Sequence, residues 1–221
     1  MHQWRAAGLV CRGRSVPLLS RPLPHTLTEG SRNTAGNALI FDLQTLFGTG
    51  WVRLGDRGFA RASLLGLLNA QGSDYIIRID DGTAVYTADG RQSVGRLPLV
   101  RKRRLWLGAV HYHSSRKVPT HLLRCQRQGC RWSLASSLDD PEAIYQSYRT
   151  RTQTEGMSRD RQQHLRTERL PCHSPERHAT WLLQVAIASS HLYWLGVRAQ
   201  RAGLSHLAHD LQPISFAHAH Q

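Results

Sequence analysis

The stretch Tyr148–Gln162, YRTRTQTEGMSRDRQ, decides how the chain is read. It follows a segment with the marks of a helix start: Asp140 can cap, Pro141 suits the first helical position, and Glu142 favours the positive end of the helix dipole. No proline follows until Pro171, so the pattern predicts a helix of several turns running from Asp140 through this stretch. At roughly 100° per residue, Tyr148, Arg151, Glu155 and Gln162 fall within an arc of about 60°, a polar stripe with a carboxylate at its centre. Such a stripe is either the solvated face of a surface helix or a face that carries chemistry, and periodicity alone favours the solvated face.

The rest of the chain narrows the choice. Its 221 residues suit one domain with an insertion or two small ones, and 40% hydrophobic content is enough for a packed core. A net charge of +14, from 29 basic and 15 acidic residues, points to a polyanionic partner, most economically nucleic acid. Lysine occurs only at Lys102 and Lys117; the arginine bias suits bidentate phosphate contacts and equally a GC-rich genome. Cys11, Cys125, Cys130 and Cys172 are too few and scattered for a disulfide framework, so a reducing compartment is expected. The first residues lack the long apolar region of a signal peptide, so export is not expected.

In chain order, Gln3–Arg12 and Ser15–Leu23 read as a hairpin around Arg12-Gly13-Arg14, and Asn33–Phe47 as a helix ended by Gly48 and Gly50. Trp51–Phe59, WVRLGDRGF, reads as a short buried strand ending in Asp56, a place where carboxylates face ligands in α/β sheets. The plainer reading of Asp56 is a turn former. Ala60–Leu68 has the pattern of an amphipathic helix. Six short strands are then expected at Asp74–Asp80, Thr83–Thr87, Gln92–Leu97, Leu105–His113, Thr120–Gln126 and Trp132–Ala135, mostly antiparallel, with DDG and ADG turns between the first three.

Between Gly90 and Leu138 there is no acidic residue, while Arg91, Arg96, Arg101, Lys102, Arg103, Arg104, Arg116, Lys117, Arg124, Arg127 and Arg131 are all present. That acid-free run, with Trp106, Tyr112 and Trp132, is expected to form a phosphate-tracking surface. Cys125 and Cys130 lack a second regularly spaced ligand pair, so no zinc site is expected, and His111 and His113 are expected as polar surface residues. Trp181–Arg198 is interrupted by Gln184, Ser189, Ser190 and His191, which predicts a buried helix rather than a membrane span.

The Tyr148 string resembles the signature of bacterial insertion-sequence DDE transposases: Tyr, two residues, Arg, three residues, Glu, six residues, Lys. Tyr148, Arg151 and Glu155 match position by position, and Gln162 stands where the family has lysine, which removes one phosphate-binding charge. DRGF at Asp56–Phe59 resembles the family's second-aspartate motif, and GRSVPL at Gly13–Leu18 resembles the segment that follows the strand carrying the first catalytic aspartate. No aspartate precedes that segment; the first carboxylate is Glu29 and the first aspartate Asp42. On this resemblance the chain is expected to be N-terminally truncated by one strand. Ser133–Glu142 is similar to the strand and hydroxyl-rich turn that lead into the signature helix.

The resemblance implies an α/β fold, an RNase H-like transposase core without its first strand and with a β-rich insertion. Residues 1–71 would be the first part of the core, 72–138 the basic insertion, and 139–221 the helical second part. The implied function is DNA cleavage and strand transfer by a transposase using two Mg²⁺ ions. Asp56 and Glu155 would be catalytic and would hold metal, while Tyr148, Arg151, Gln162, Arg101, Lys102, Arg103 and Arg104 would bind DNA. With the third carboxylate unassigned, the metals are expected to be weakly held and the chain inactive alone, as a truncated enzyme or one half of a split one. The alternative is a non-catalytic basic DNA-binding remnant or module. Implied partners are transposon ends and target DNA, with a homodimer in the DNA complex, no membrane, and a bacterial cytoplasmic location on the nucleoid.

Overall fold

Strands and helices in a computed structural model, which describes residues 3–11, 14–23, 29–99, 104–113, 115, 117–127, 129–152 and 174–204, follow the sequence pattern closely at its start. Strands β1 (Gln3–Cys11) and β2 (Arg14–Leu23) pair antiparallel from Gln3 opposite Leu23 to Cys11 opposite Arg14, with an irregularity at Ala7/Gly8. Helix α1 (Glu29–Phe47) starts earlier than its apolar spacing suggested, and stops at Gly48, whose φ of 73° lets its N–H reach the Gln44 carbonyl at 2.8 Å.

The chain divides into two compact units, and the division falls within α1: Met1–Ile40 with Thr152–Gln221, and Phe41–Arg151. In the first unit, helix α4 (Pro175–Arg201), capped by Ser174, packs on β2, and the Tyr193 hydroxyl donates to the Cys11 carbonyl at 3.3 Å. Leu182 and Val185 are buried, but Ile187, Leu192, Trp194 and Leu195 are at least half exposed. The expected fully buried helix is therefore corrected, since a two-stranded hairpin covers only one stripe of a helix this long. Among the described residues no helix is long and apolar enough to cross a membrane.

The second unit holds a seven-stranded sheet of order β3-β4-β9-β8-β7-β5-β6. Its strands are β3 (Arg53–Gly55), β4 (Tyr75–Arg78), β5 (Ala84–Thr87), β6 (Gly90–Ser93), β7 (Leu105–Tyr112), β8 (Val118–Arg127) and β9 (Cys130–Ser136). Only β3 and β4 run parallel; every other neighbouring pair is antiparallel. Five of the six expected strands after Asp74 form, and they continue the sheet that begins with β3; the expected strand Gln92–Leu97 is corrected, since β6 ends at Ser93 and Val94–Arg96 is a 3₁₀ turn whose Gly95 N–H bonds the Asp81 carbonyl at 2.7 Å. The strand before Asp56 is shorter than expected: β3 begins only at Arg53, and Trp51 and Val52, which precede it, are exposed.

Helices cover both faces. Period-two alternation sends Ile76, Leu123, Cys125, Trp132 and Leu134 to one face, where they form a core with Ile144 and Tyr148 of helix α3 (Pro141–Arg149). Helix α2 (Ala62–Ala70) buries Leu64, Leu65 and Leu68 and ties to β8 through the Asn69 amide, which donates to the Pro119 carbonyl at 2.8 Å. Burial raises the Cys125 thiol pKa to about 11, so it stays protonated and inert near neutrality.

Candidate active site

Backbone chemistry places Asp56 beyond the carboxyl end of β3. Gly55 is tightly surrounded: a Cβ there would meet Ile77 Cγ1 at 3.1 Å and Phe59 Cβ at 3.2 Å. Only a residue without a side chain lets the strand turn this close to β4. The chain then enters a single 3₁₀ turn, Arg57–Phe59, capped by Asp56, whose Oδ1 accepts from the Gly58 N–H at 3.0 Å. One carboxylate oxygen is thus fixed by the DRGF sequence itself. The other, Oδ2, faces Arg151 Nη2 at 3.4 Å, a pair joining positions 95 residues apart. Asp56 is 50% exposed and Arg151 22%.

Arg151 reaches this point from the end of α3. The helix starts as its sequence predicts, with Asp140 Oδ1 accepting from the Glu142 N–H at 2.8 Å and Pro141 in the first turn. It ends at Arg149, so the expected helix is interrupted at Thr150 and Arg151; Thr152 is helical again, and the expected continuation to Gln162 lies outside the described residues. The physical cause lies at Thr150, whose hydroxyl bonds the Ser147 carbonyl at 2.6 Å while its N–H takes the same carbonyl at 3.1 Å. The last turn tightens, and the Arg151 N–H bonds the Tyr148 carbonyl at 3.0 Å. Tyr148 is 3% exposed, its ring edge-on to Trp132 with centroids 5.2 Å apart. Glu155 and Gln162 lie outside the described residues, as do Arg101, Lys102 and Arg103.

Arg104 is described and is already engaged. It pairs with Glu142, and its guanidinium lies 3.7 Å from the Tyr145 ring centre, with Arg149 at 5.7 Å. Hydrogen bonds from Gln146 and from Arg104 hold the Glu142 carboxyl below its usual range. Of the other basic residues, Arg91, Arg96, Lys117 and Arg131 are exposed.

Arg124 departs from the expected phosphate-tracking surface: it is 1% exposed, bonded to the Leu97 carbonyl and to Ser133 Oγ, and 3.6 Å from Asp81. Burial lowers its pKa and Asp81 opposes that shift. Arg124→Ala is expected to destabilise the second unit by about 3 kcal/mol, because it empties a buried site and strands its partners. Thermal unfolding followed by tryptophan fluorescence would measure this; a loss below about 1 kcal/mol would return Arg124 to the surface class.

Among the described residues, no group of three or more His, Cys, Asp and Glu could hold a metal ion. Asp56 fits as one ligand for a hard divalent cation: it is anionic, oxygen-donating, half exposed, and turned at a strand end toward a cationic partner that a metal could replace.

The site is thus a mixed α/β sheet flanked by helices, with an aspartate at a strand end facing an arginine just past the end of α3. A family profile described as the transposase DDE domain matches residues 25–190, three quarters of the chain, and the chain belongs to that family. No curated protein gives a match. Membership carries transposase function and a DNA substrate, and the family typically uses a divalent metal.

Proposed function

We propose that the chain is an insertion-sequence transposase subunit of the Tyr-Arg-Glu-Lys type. One observation carries this reading: Asp56 of the DRGF motif and Arg151 of the Tyr148 string, far apart in sequence, stand 3.4 Å from each other. Two unrelated solvated motifs would have no reason to meet. In this reading Asp56 and Glu155 would hold magnesium, which, when bound, polarises a DNA phosphate and stabilises charge on the reacting oxygens. Arg151 neutralises Asp56 in the absence of metal and lies within reach of a phosphate drawn to the same place. Tyr148 acts through packing: its buried ring fixes the end of α3 from which Arg151 projects. Gln162 and the basic residues Arg101, Lys102, Arg103 and Arg104 serve the DNA backbone, and the working unit is a homodimer on DNA in the bacterial cytoplasm.

Manganese binding tests this without requiring turnover. Weak Mn²⁺ binding should broaden the Gly58 amide resonance, whose N–H rests on Asp56, and both Asp56→Asn and Glu155→Gln should weaken it at least several-fold. Broadening untouched by either substitution would remove both residues from the metal site. A non-catalytic DNA-binding module is the second reading, favoured by the net charge of +14, which calls for a polyanion but not for catalysis.

A further inference from the structure

Arg57, the residue after Asp56, lines a cleft of about 510 Å³ that the transposase motifs do not account for. Its walls come from the 3₁₀ turn (Arg57), the end of β4 and its turn (Arg78 to Gly82), and the β8–β9 hairpin (Gly129 and Arg131). The two carboxylates in it are already matched. Asp80 pairs with Arg57 at 3.2 Å, and Asp81 takes Arg124 from below and the Ser133 hydroxyl at 3.2 Å. Among the described residues no ion pair holds Arg78 or Arg131. The cleft therefore keeps an excess of two guanidinium charges.

Two of the cleft's three guanidiniums, those of Arg78 and Arg57, are held in place, while that of Arg131 is exposed. Arg78 Nη2 donates to the Arg131 carbonyl at 2.8 Å, and Arg57 is fixed by Asp80. The charge of Arg131 is felt by Arg124, adding to the lowering that burial causes there, so positive potential extends from the rim to the floor. Preorganised forks of this kind suit phosphate oxygens, since less side-chain entropy is lost on binding. The walls also decide against a nucleobase. None of the lining residues is aromatic, and the hydrocarbon among them, Ile79, is itself buried, so a base has nothing to stack on. At Gly82 and Gly129 a Cβ would meet nothing within 4 Å, which leaves open space beside the main chain.

We infer that this cleft seats a backbone phosphate of DNA, read without regard to sequence, on the side of the sheet end that Arg57 lines. The inference rests on DNA being the substrate at Asp56 and adds where the strand is gripped. It would run past Arg57, the residue that directly follows Asp56.

Fluorescence anisotropy on the full chain tests it, with a DNA duplex of arbitrary sequence and a phosphodiester strand of the same length lacking bases, across a salt series. Arg131→Ala removes the exposed fork while leaving the carbonyl that anchors Arg78. It should lower the slope of log affinity against log salt by about one and weaken binding about fivefold near 0.1 M salt, equally on both DNAs. Arg131→Lys should recover most of the loss, and Arg201→Ala, exposed at the end of α4 and outside both the cleft lining and the basic run, supplies the reference for removing any surface charge. An Arg131→Ala effect no larger than that of Arg201→Ala overturns the cleft assignment. So does an effect confined to the DNA that carries bases. If inorganic phosphate shifts the Gly82 and Gly129 amides with sub-millimolar saturation while Arg131→Ala leaves DNA binding intact, the site takes free anions and the inference fails alone. If the chain binds neither DNA at low salt, the transposase reading falls and this inference with it.

Discussion

Tyr148→Ala is expected to destabilise the second unit by about 3–5 kcal/mol, the largest stability loss of any single substitution at the candidate site. The ring is 3% exposed and packs edge-on to Trp132 among Ile76, Leu123, Leu134 and Ile144, with no polar wall to refill the space. Truncation removes the transfer energy of an aromatic ring and leaves a cavity that a sheet buried on both faces cannot close. For a unit spanning Phe41–Arg151 the midpoint should fall by roughly 15 °C. Tyr148→Phe keeps the packing and should cost less than about 1.5 kcal/mol. The comparison also separates two roles. A positioning residue loses stability first, and loses DNA affinity only as Arg151 loses its place. If Tyr148→Ala left the melting curve nearly unchanged while DNA affinity fell tenfold, the side chain would be touching DNA, as the family resemblance implies, in a conformation other than this one.

How much of this was legible in the sequence depended on the range of the interactions. The start of α3 was readable because Asp140, Pro141 and Glu142 are adjacent and act on each other. Its end was not: nothing in the periodicity reveals that the Thr150 hydroxyl will compete for the Ser147 carbonyl, and no proline or glycine marks the place. Trp51 and Val52 read as buried because aromatic and β-branched residues favour inner strands, yet β3 begins only at Arg53 and both precede it, exposed. Arg124 sits in the run His121–Cys125, whose apolar neighbours hinted at a strand buried on both faces; its counter-ion, Asp81, belongs to a turn read only as a turn. The motif pair fared better. Asp56 and Arg151 were each singled out from short strings, but only folding could bring them together. Glu155, which would complete the comparison, lies outside the described residues.

With Mg²⁺ or Mn²⁺, the purified chain is expected not to nick supercoiled plasmid above background. On the proposed reading, phosphoryl transfer would use two metal ions held by three carboxylates, because the charge of two divalent ions must be offset and the in-line geometry fixed by several ligands at once. Asp56 and Glu155 would supply two, and none of the 221 residues is assigned as the third. Losing one preorganised group from an electrostatic site typically costs about 10²–10³ in rate, and losing a ligand also weakens the metal on which every remaining group acts. Neighbouring arginines cannot repair this, since Arg57 and Arg151 add positive charge where negative ligands are missing. The control is the same assay on Asp56→Asn and Glu155→Gln, which should match the parent chain at background. Robust nicking by the parent that vanishes in both variants would mean that the chain supplies its own third ligand. Nicking that survives both would move the chemistry away from Asp56 altogether and leave the pair it forms with Arg151 as a structural tie between β3 and the end of α3.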